Sequence, residues 1–155
     1  MKICIVRHGS AVPGAVDDQD RTLTEKGAHQ ATQAGKWLKS QVFDRPACWA
    51  SPYRRTLQTA ENISVSTGYD IQSNTCLTPD REVSDVINQL QSSSSDVVLV
   101  SHLPLVGHIA SYLIDGEIRE QPWSPAECWV LEGDAPGPGC MSVVGVWYPA
   151  LENNQ

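Results

Sequence analysis

Arginine, histidine and glycine stand together at positions 7–9, directly after the apolar run of residues 3–6. A short apolar strand that ends abruptly in polar groups delivers them to the carboxyl edge of a sheet, where open α/β folds place their ligand crevices. A neutral imidazole can attack phosphorus at pH 7, and a neighbouring guanidinium both binds phosphate oxygens and disfavours protonation of the ring. His8 is therefore a candidate nucleophile and Arg7 a candidate phosphate ligand. Gly9 would let the backbone approach an anion with its N–H pointing inward.

The same grammar recurs at residues 97–102, where Val-Val-Leu-Val is followed by Ser101 and His102. An unbroken β-branched run of this kind fits a central strand covered on both faces. Between the two histidines, a strand predicted over residues 47–50 runs into Ser51-Pro52-Tyr53-Arg54-Arg55. Ser51 suits a helix N-cap and Pro52 the first helical position, which would put both arginines in the first turn, beside free N–H groups and the positive end of the helix dipole. Either arginine alone could equally be a solvated surface cation.

The elements that must position these residues alternate between strand and helix patterns. Thr24 reads as an N-cap, and Ala28, Ala31, Gly35 and Leu38 recur at helical spacing. Gly68 is a candidate C-cap, residues 71–77 hold a short edge strand, and Val83, Val86, Ile87 and Leu90 mark an amphipathic helix. Pro104 introduces a further helix that closes near Gly116. Beyond Gln121, two strand patterns flank a Pro/Gly turn, predicting an antiparallel hairpin with no visible chemistry. The fold class expected is α/β, a three-layer sandwich whose mostly parallel central sheet is flanked by helices and extended by that C-terminal hairpin.

At 155 residues and 41% hydrophobic, the chain fits one domain spanning positions 1–155. A net charge of −7, with no basic stripe, argues against sequence-independent nucleic-acid binding, so attraction for phosphate must come from a local arginine cluster. No apolar run reaches bilayer-spanning length, and no secretory pattern follows Met1-Lys2, so a cytoplasmic protein is expected. The five cysteines include no CxxC pair and read mainly as buried thiols. Asp17, Asp18 and Asp20 lack the glycine and distal glutamate of a calcium loop and read as solvated acids. His108 has the wrong spacing from His102 for a helical metal pair and is given a structural role.

Three motifs at strand ends, in this order, carry a resemblance: Arg7-His8-Gly9, Ser51-Pro52 followed by Arg55 and Thr59, and residues 101–107, Ser-His-Leu-Pro-Leu-Val-Gly. Together with Arg21-x-Leu23-Thr24-x-x-Gly27, they resemble the histidine phosphatase superfamily and, within it, the small SixA-type phosphohistidine phosphatases. The mutase branch usually carries Ser and Asn where Ala11 and Gly14 stand. The acid phosphatase branch has Arg after its RHG and Asp after its second histidine, against Ser10-Ala11 and Leu103 here. Many SixA-like chains have Asp at the position of Ser10.

The resemblance implies that His8 is the phosphorylated nucleophile and that Arg7, Arg55 and His102 grip the transferring group, with Arg55 preferred to Arg54 by the motif. It implies no metal or other cofactor. Its substrate would be a phosphohistidine on a phosphotransfer (HPt) domain of a signalling protein, with inorganic phosphate as product. Asp18, Asp80 and Glu82 are the candidate proton donors, none of them at a position that the motifs single out. Phosphohistidine expels an imidazole, whose protonated form has a pKa of ~6.5, and needs less help from an acid than a phosphate ester does. Two alternatives stay open: a phosphatase of small phosphomonoesters, and a module that binds phosphorylated partners without turnover.

Overall fold

The computed structural model describes residues 1–149; the last six positions of the expected domain lie outside the described residues. Six strands form one sheet: β1 (Lys2–Arg7), β2 (Ala47–Ala50), β3 (Ile71–Ser73), β4 (Val97–Ser101), β5 (Cys128–Gly133) and β6 (Met141–Trp147), in the spatial order β3-β2-β4-β1-β5-β6. The first four run parallel, while β5 pairs antiparallel with both β1 and β6. The expected architecture is therefore observed, with the terminal hairpin stitched onto β1.

Among the described residues, four α-helices cover the sheet: α1 (Glu25–Lys39), α2 (Arg54–Thr67), α3 (Val83–Gln91) and α4 (Leu105–Asp115). Alternation along the strands splits the core. Ile3, Ile5, Val97 and Leu99 face the buried stripes of α3 and α4, whereas Cys4, Val6, Val98 and Val100 face those of α1 and α2. Because β1 and β4 are covered on both sides, their side chains have no solvent face to reserve for polar residues, which is why both read as continuous apolar runs. Among the described residues, no helix is long and apolar enough to cross a membrane.

Local signals act largely as their chemistry dictates. The Thr24 hydroxyl accepts the Gly27 N–H at 2.9 Å, a cap typically worth about 1 kcal/mol. Gly68 and Gly116 close α2 and α4 in the left-handed conformation. Val83, Val86, Ile87 and Leu90 form the buried stripe of α3. Cys4, Cys48, Cys76 and Cys128 are buried free thiols, and Cys140 is exposed.

The start of α2 departs from expectation. The helix begins at Arg54, with Tyr53 at the N-cap and no side-chain cap, because the Ser51 hydroxyl is engaged elsewhere. Register explains where. Arg7 pairs with Ser101 and Ala50 with Val100, so the residues just past the ends of β1, β2 and β4 emerge side by side at one edge of the sheet. The link is continued by the His8 N–H to the Ser101 carbonyl and the Ser51 N–H to the Val100 carbonyl, each at 3.0 Å.

Candidate active site

His8 and His102 meet at that edge with ring centroids 5.4 Å apart. Both are buried, at 9% and 1% exposure. The His8 Nδ1 lies 2.7 Å from the Gly9 carbonyl oxygen. A carbonyl only accepts, so Nδ1 carries the proton and Nε2 keeps its lone pair. Burial drives the His8 pKa down to about 4; the Gly9 carbonyl opposes that, and the Arg55, Arg7 and Arg21 charges reinforce it. At neutral pH the ring is uncharged, as a nucleophile must be.

Burial likewise lowers the His102 pKa, with the charges of His8 and Arg55 adding to the effect. Its Nε2 lies 2.8 Å from the Ser51 hydroxyl, and its Nδ1 is buried with no hydrogen-bond partner among the described residues. The Tyr53 ring meets it edge-on at 5.0 Å and also lies 5.1 Å from the Arg55 guanidinium carbon.

The two adjacent arginines of α2 part ways: Arg54 is exposed, whereas Arg55 is only 4% exposed. The outer nitrogens of Arg55 are held by Asp18, one on its carbonyl at 2.8 Å and one on its carboxylate at 3.0 Å. Arg21 pairs with the other Asp18 carboxylate oxygen at 3.1 Å. Arg7 donates to the Trp123 carbonyl at 2.7 Å, and burial lowers its pKa, partly offset by Glu127. The Nε atoms of Arg7 and Arg55 are, like His102 Nδ1, buried and unpartnered. Arg7 and Arg55 are close enough for their charges to act on both histidine rings, and three such nitrogens form a set of donors whose natural complement is a tetrahedral oxyanion.

Gly9 is a correction. Its N–H donates to the Thr59 hydroxyl at 3.0 Å and so does not face the pocket. Glycine is required here for a different reason: a Cβ would lie 2.6 Å from the Gly27 carbonyl oxygen of α1.

The three candidate proton donors are placed apart in function. Asp18 is bonded to two arginines, whose hydrogen bonds outweigh its desolvation and hold its carboxyl below the usual range; it stays an ionised acceptor. The Thr78 hydroxyl donates to Asp80, whose carboxyl is likewise lowered. Glu82 forms a capping box with Asp85 at the start of α3. Among the described residues, neither Asp80 nor Glu82 bonds to His8, His102, Arg7 or Arg55. Asp17 and Asp20 are exposed, and His108 pairs with Glu120 at 2.9 Å away from the pocket residues.

Sequence reasoning missed the segment before β5. The Ala126 N–H is shared by the Arg7 and His8 carbonyls at 3.0 and 3.1 Å, and the Trp123 carbonyl anchors the Arg7 side chain. Backbone groups supply these contacts, and they leave no residue-type signature. Ser51 was visible, but as a cap rather than as a partner of His102.

A strand-end histidine kept neutral beside a second histidine and two guanidiniums, on a sheet covered by helices on both faces, defines a class of enzymes that handle phosphoryl groups through histidine. Comparison with known proteins is specific about which. Residues 3–78 match the histidine phosphatase superfamily (branch 1), and the chain belongs to that superfamily. It is 32% identical over 123 residues to the phosphohistidine phosphatase SixA of Escherichia coli (strain K12), covering 76% of each chain. The SixA homolog of Haemophilus influenzae is 33% identical over 128 residues, covering 73% of this chain and 77% of that one. The structure of the protein histidine phosphatase SixA complexed with tungstate superposes with a TM-score of 0.88 at 27% identity, over 98% of this chain and 99% of the other.

Proposed function

We propose that this protein is a phosphohistidine phosphatase that removes phosphoryl groups from histidine phosphotransfer (HPt) domains through a phosphohistidine on His8. The observation that carries the reading is the bond from His8 Nδ1–H to the Gly9 carbonyl, which leaves a neutral Nε2 as nucleophile. In the first step Nε2 bonds to phosphorus while the P–N bond to the substrate imidazole breaks. In the second, water attacks phospho-His8, inorganic phosphate departs and the ring is restored. Arg7, Arg55 and His102 hold the equatorial oxygens, and these donors suffice for a transfer that asks mainly for positioning and charge stabilisation.

Nucleophile and leaving group are both imidazoles, so the first step is close to an exchange between equals. That suits a pocket in which Asp18 is tied up as an acceptor for arginine and Asp80 and Glu82 are bonded elsewhere. The stretch between Arg55 and His102 folds into the rest of α2, β3, α3 and β4 with short connections and no inserted lid, which favours a protein-borne substrate. Four buried free thiols fit the reducing cytoplasm proposed as its location.

The test compares initial rates on a phosphohistidine-bearing HPt protein with those on aryl and sugar phosphates. Faster turnover of the phosphoprotein, with an acid-labile, alkali-stable label on His8 after brief exposure, is expected. Equal or faster turnover of the monoesters would establish the ester phosphatase instead, and binding without label or phosphate release would leave only a recognition module.

The pH profile follows from the depressed His8 pKa. A ring with its pKa lowered to about 4 is neutral from physiological pH down to roughly pH 5. After subtraction of the uncatalysed hydrolysis of phosphohistidine, kcat/KM, which reports the free enzyme, should not fall through pH 6.5 as it would for an ordinary histidine. It should fall as pH drops towards 4, with circular dichroism confirming that the fold persists. A catalysed rate that climbs steadily down to pH 4 would contradict attack by a neutral imidazole.

A further inference from the structure

Ser51 is fully buried at the end of β2, and its hydroxyl has two neighbours within hydrogen-bond distance. The Tyr53 N–H can only donate, and does so to the Ser51 oxygen at 3.4 Å. The other neighbour is His102 Nε2 at 2.8 Å. The hydroxyl proton must go somewhere, and among these neighbours only an unprotonated Nε2 can accept it. Were Nε2 the protonated nitrogen, the serine O–H would be buried with no acceptor while its oxygen received two donors, the arrangement that buried polar groups avoid.

We infer that Ser51 is a positioning residue: its hydroxyl donates to His102 Nε2 and thereby fixes the tautomer that points an Nδ1–H into the oxyanion pocket. The inference deepens the phosphatase reading, on which its catalytic meaning rests. Nδ1 is the buried, unpartnered atom of that ring, and the neighbouring Arg7 and Arg55, whose charges act on it, each carry an unpartnered Nε as well. With the opposite tautomer, Nδ1 would present a lone pair to phosphoryl oxygens and repel them. With this one it is a third donor, aimed in advance at charge that grows during transfer.

Ser51 is itself held firmly enough to serve this purpose. Its N–H is bonded to the Val100 carbonyl at 3.0 Å, and its own carbonyl accepts the Thr56 hydroxyl at 2.7 Å. The first bond ties it to β4, the strand that carries His102. The two histidines thus use opposite ring atoms for the same end: a backbone carbonyl accepts the Nδ1–H of His8 and so leaves its Nε2 free for attack, and a serine hydroxyl occupies Nε2 of His102 to keep its Nδ1–H as a donor.

The test reads the tautomer directly in the substrate-free protein, by 15N NMR of the imidazole nitrogens at pH 7, with the His102 signals assigned by their loss in His102→Gln. Wild type should show one pyrrole-type Nδ1 and one pyridine-type Nε2. Ser51→Ala should populate both tautomers and lower kcat about 10- to 100-fold, the range typical of lost outer-sphere partners, with KM little changed, and Ser51→Thr should restore both readouts. A protonated Nε2 in the wild type, or an unchanged tautomer and kcat in Ser51→Ala, overturns the inference. If Ser51→Ala does not fold, the wild-type spectrum decides alone. Because the spectrum needs no turnover, a missing phosphatase activity would refute the enzymatic reading without touching the tautomer, and a wrong tautomer would do the reverse.

Discussion

His8→Ala should abolish phosphate release from a phosphohistidine protein, with kcat reduced by roughly 1,000-fold or more, because a covalent route loses its only acceptor atom. The substitution deletes the ring whose centroid lies 5.4 Å from that of His102 and whose Nδ1 is bonded to the Gly9 carbonyl. Binding should suffer far less, since the arginines that would hold the phosphoryl group remain anchored through Asp18 and Trp123. Stopped-flow phosphate release and equilibrium binding of the phosphorylated domain separate the two effects. Release at the wild-type rate from His8→Ala would end the covalent mechanism.

Arg55→Ala should be nearly as severe, for a compound reason. Loss of one preorganised charge-stabilising donor typically costs about 100- to 1,000-fold in kcat. Here the loss also leaves unpaired the Asp18 carboxylate oxygen that Arg55 holds at 3.0 Å, with only Arg21 on the other oxygen, beside a pocket that must receive a phosphoryl dianion. Asp18→Asn should therefore change sign with background: a loss of activity in the wild type, where Asp18 orients Arg55, and a gain in Arg55→Ala, where it only repels. Arg55→Lys should recover little, because one ammonium cannot bond Asp18 through two nitrogens and still present a third to the substrate. A double-mutant cycle in kcat measures the coupling, and simple additivity of the two losses would show that Asp18 and Arg55 act independently.

How much of this was legible in the sequence depended on whether a residue's role is written in its own type. Strands β1 and β4 were readable because burial on both faces demands unbroken apolar runs, and each run gives way to one polar residue and then a histidine. The preference for Arg55 over Arg54 comes from the motif, and helical geometry shows how the two differ: adjacent positions on α2 point about 100° apart, one exposed to solvent and one buried. Ser51 was misassigned because Ser-Pro before a helix carries the same local signal for a cap as for a buried hydroxyl whose partner lies far along the chain. Gly9 was read as an anion contact because glycine admits close approach of any kind, and only the structure reveals that α1 is what approaches. The carbonyl of Trp123 and the amide of Ala126 had no signature at all, since every residue carries those groups.

That last segment has a consequence for when the protein becomes competent. The Trp123 carbonyl that steadies Arg7 lies downstream of His8, Arg55 and His102, so a polypeptide still in synthesis holds every residue of the reaction centre before it holds their clasp. A fragment that ends before Ala126 lacks both the support of the Arg7 side chain and the amide shared by the Arg7 and His8 carbonyls, and full-length product should therefore outperform it.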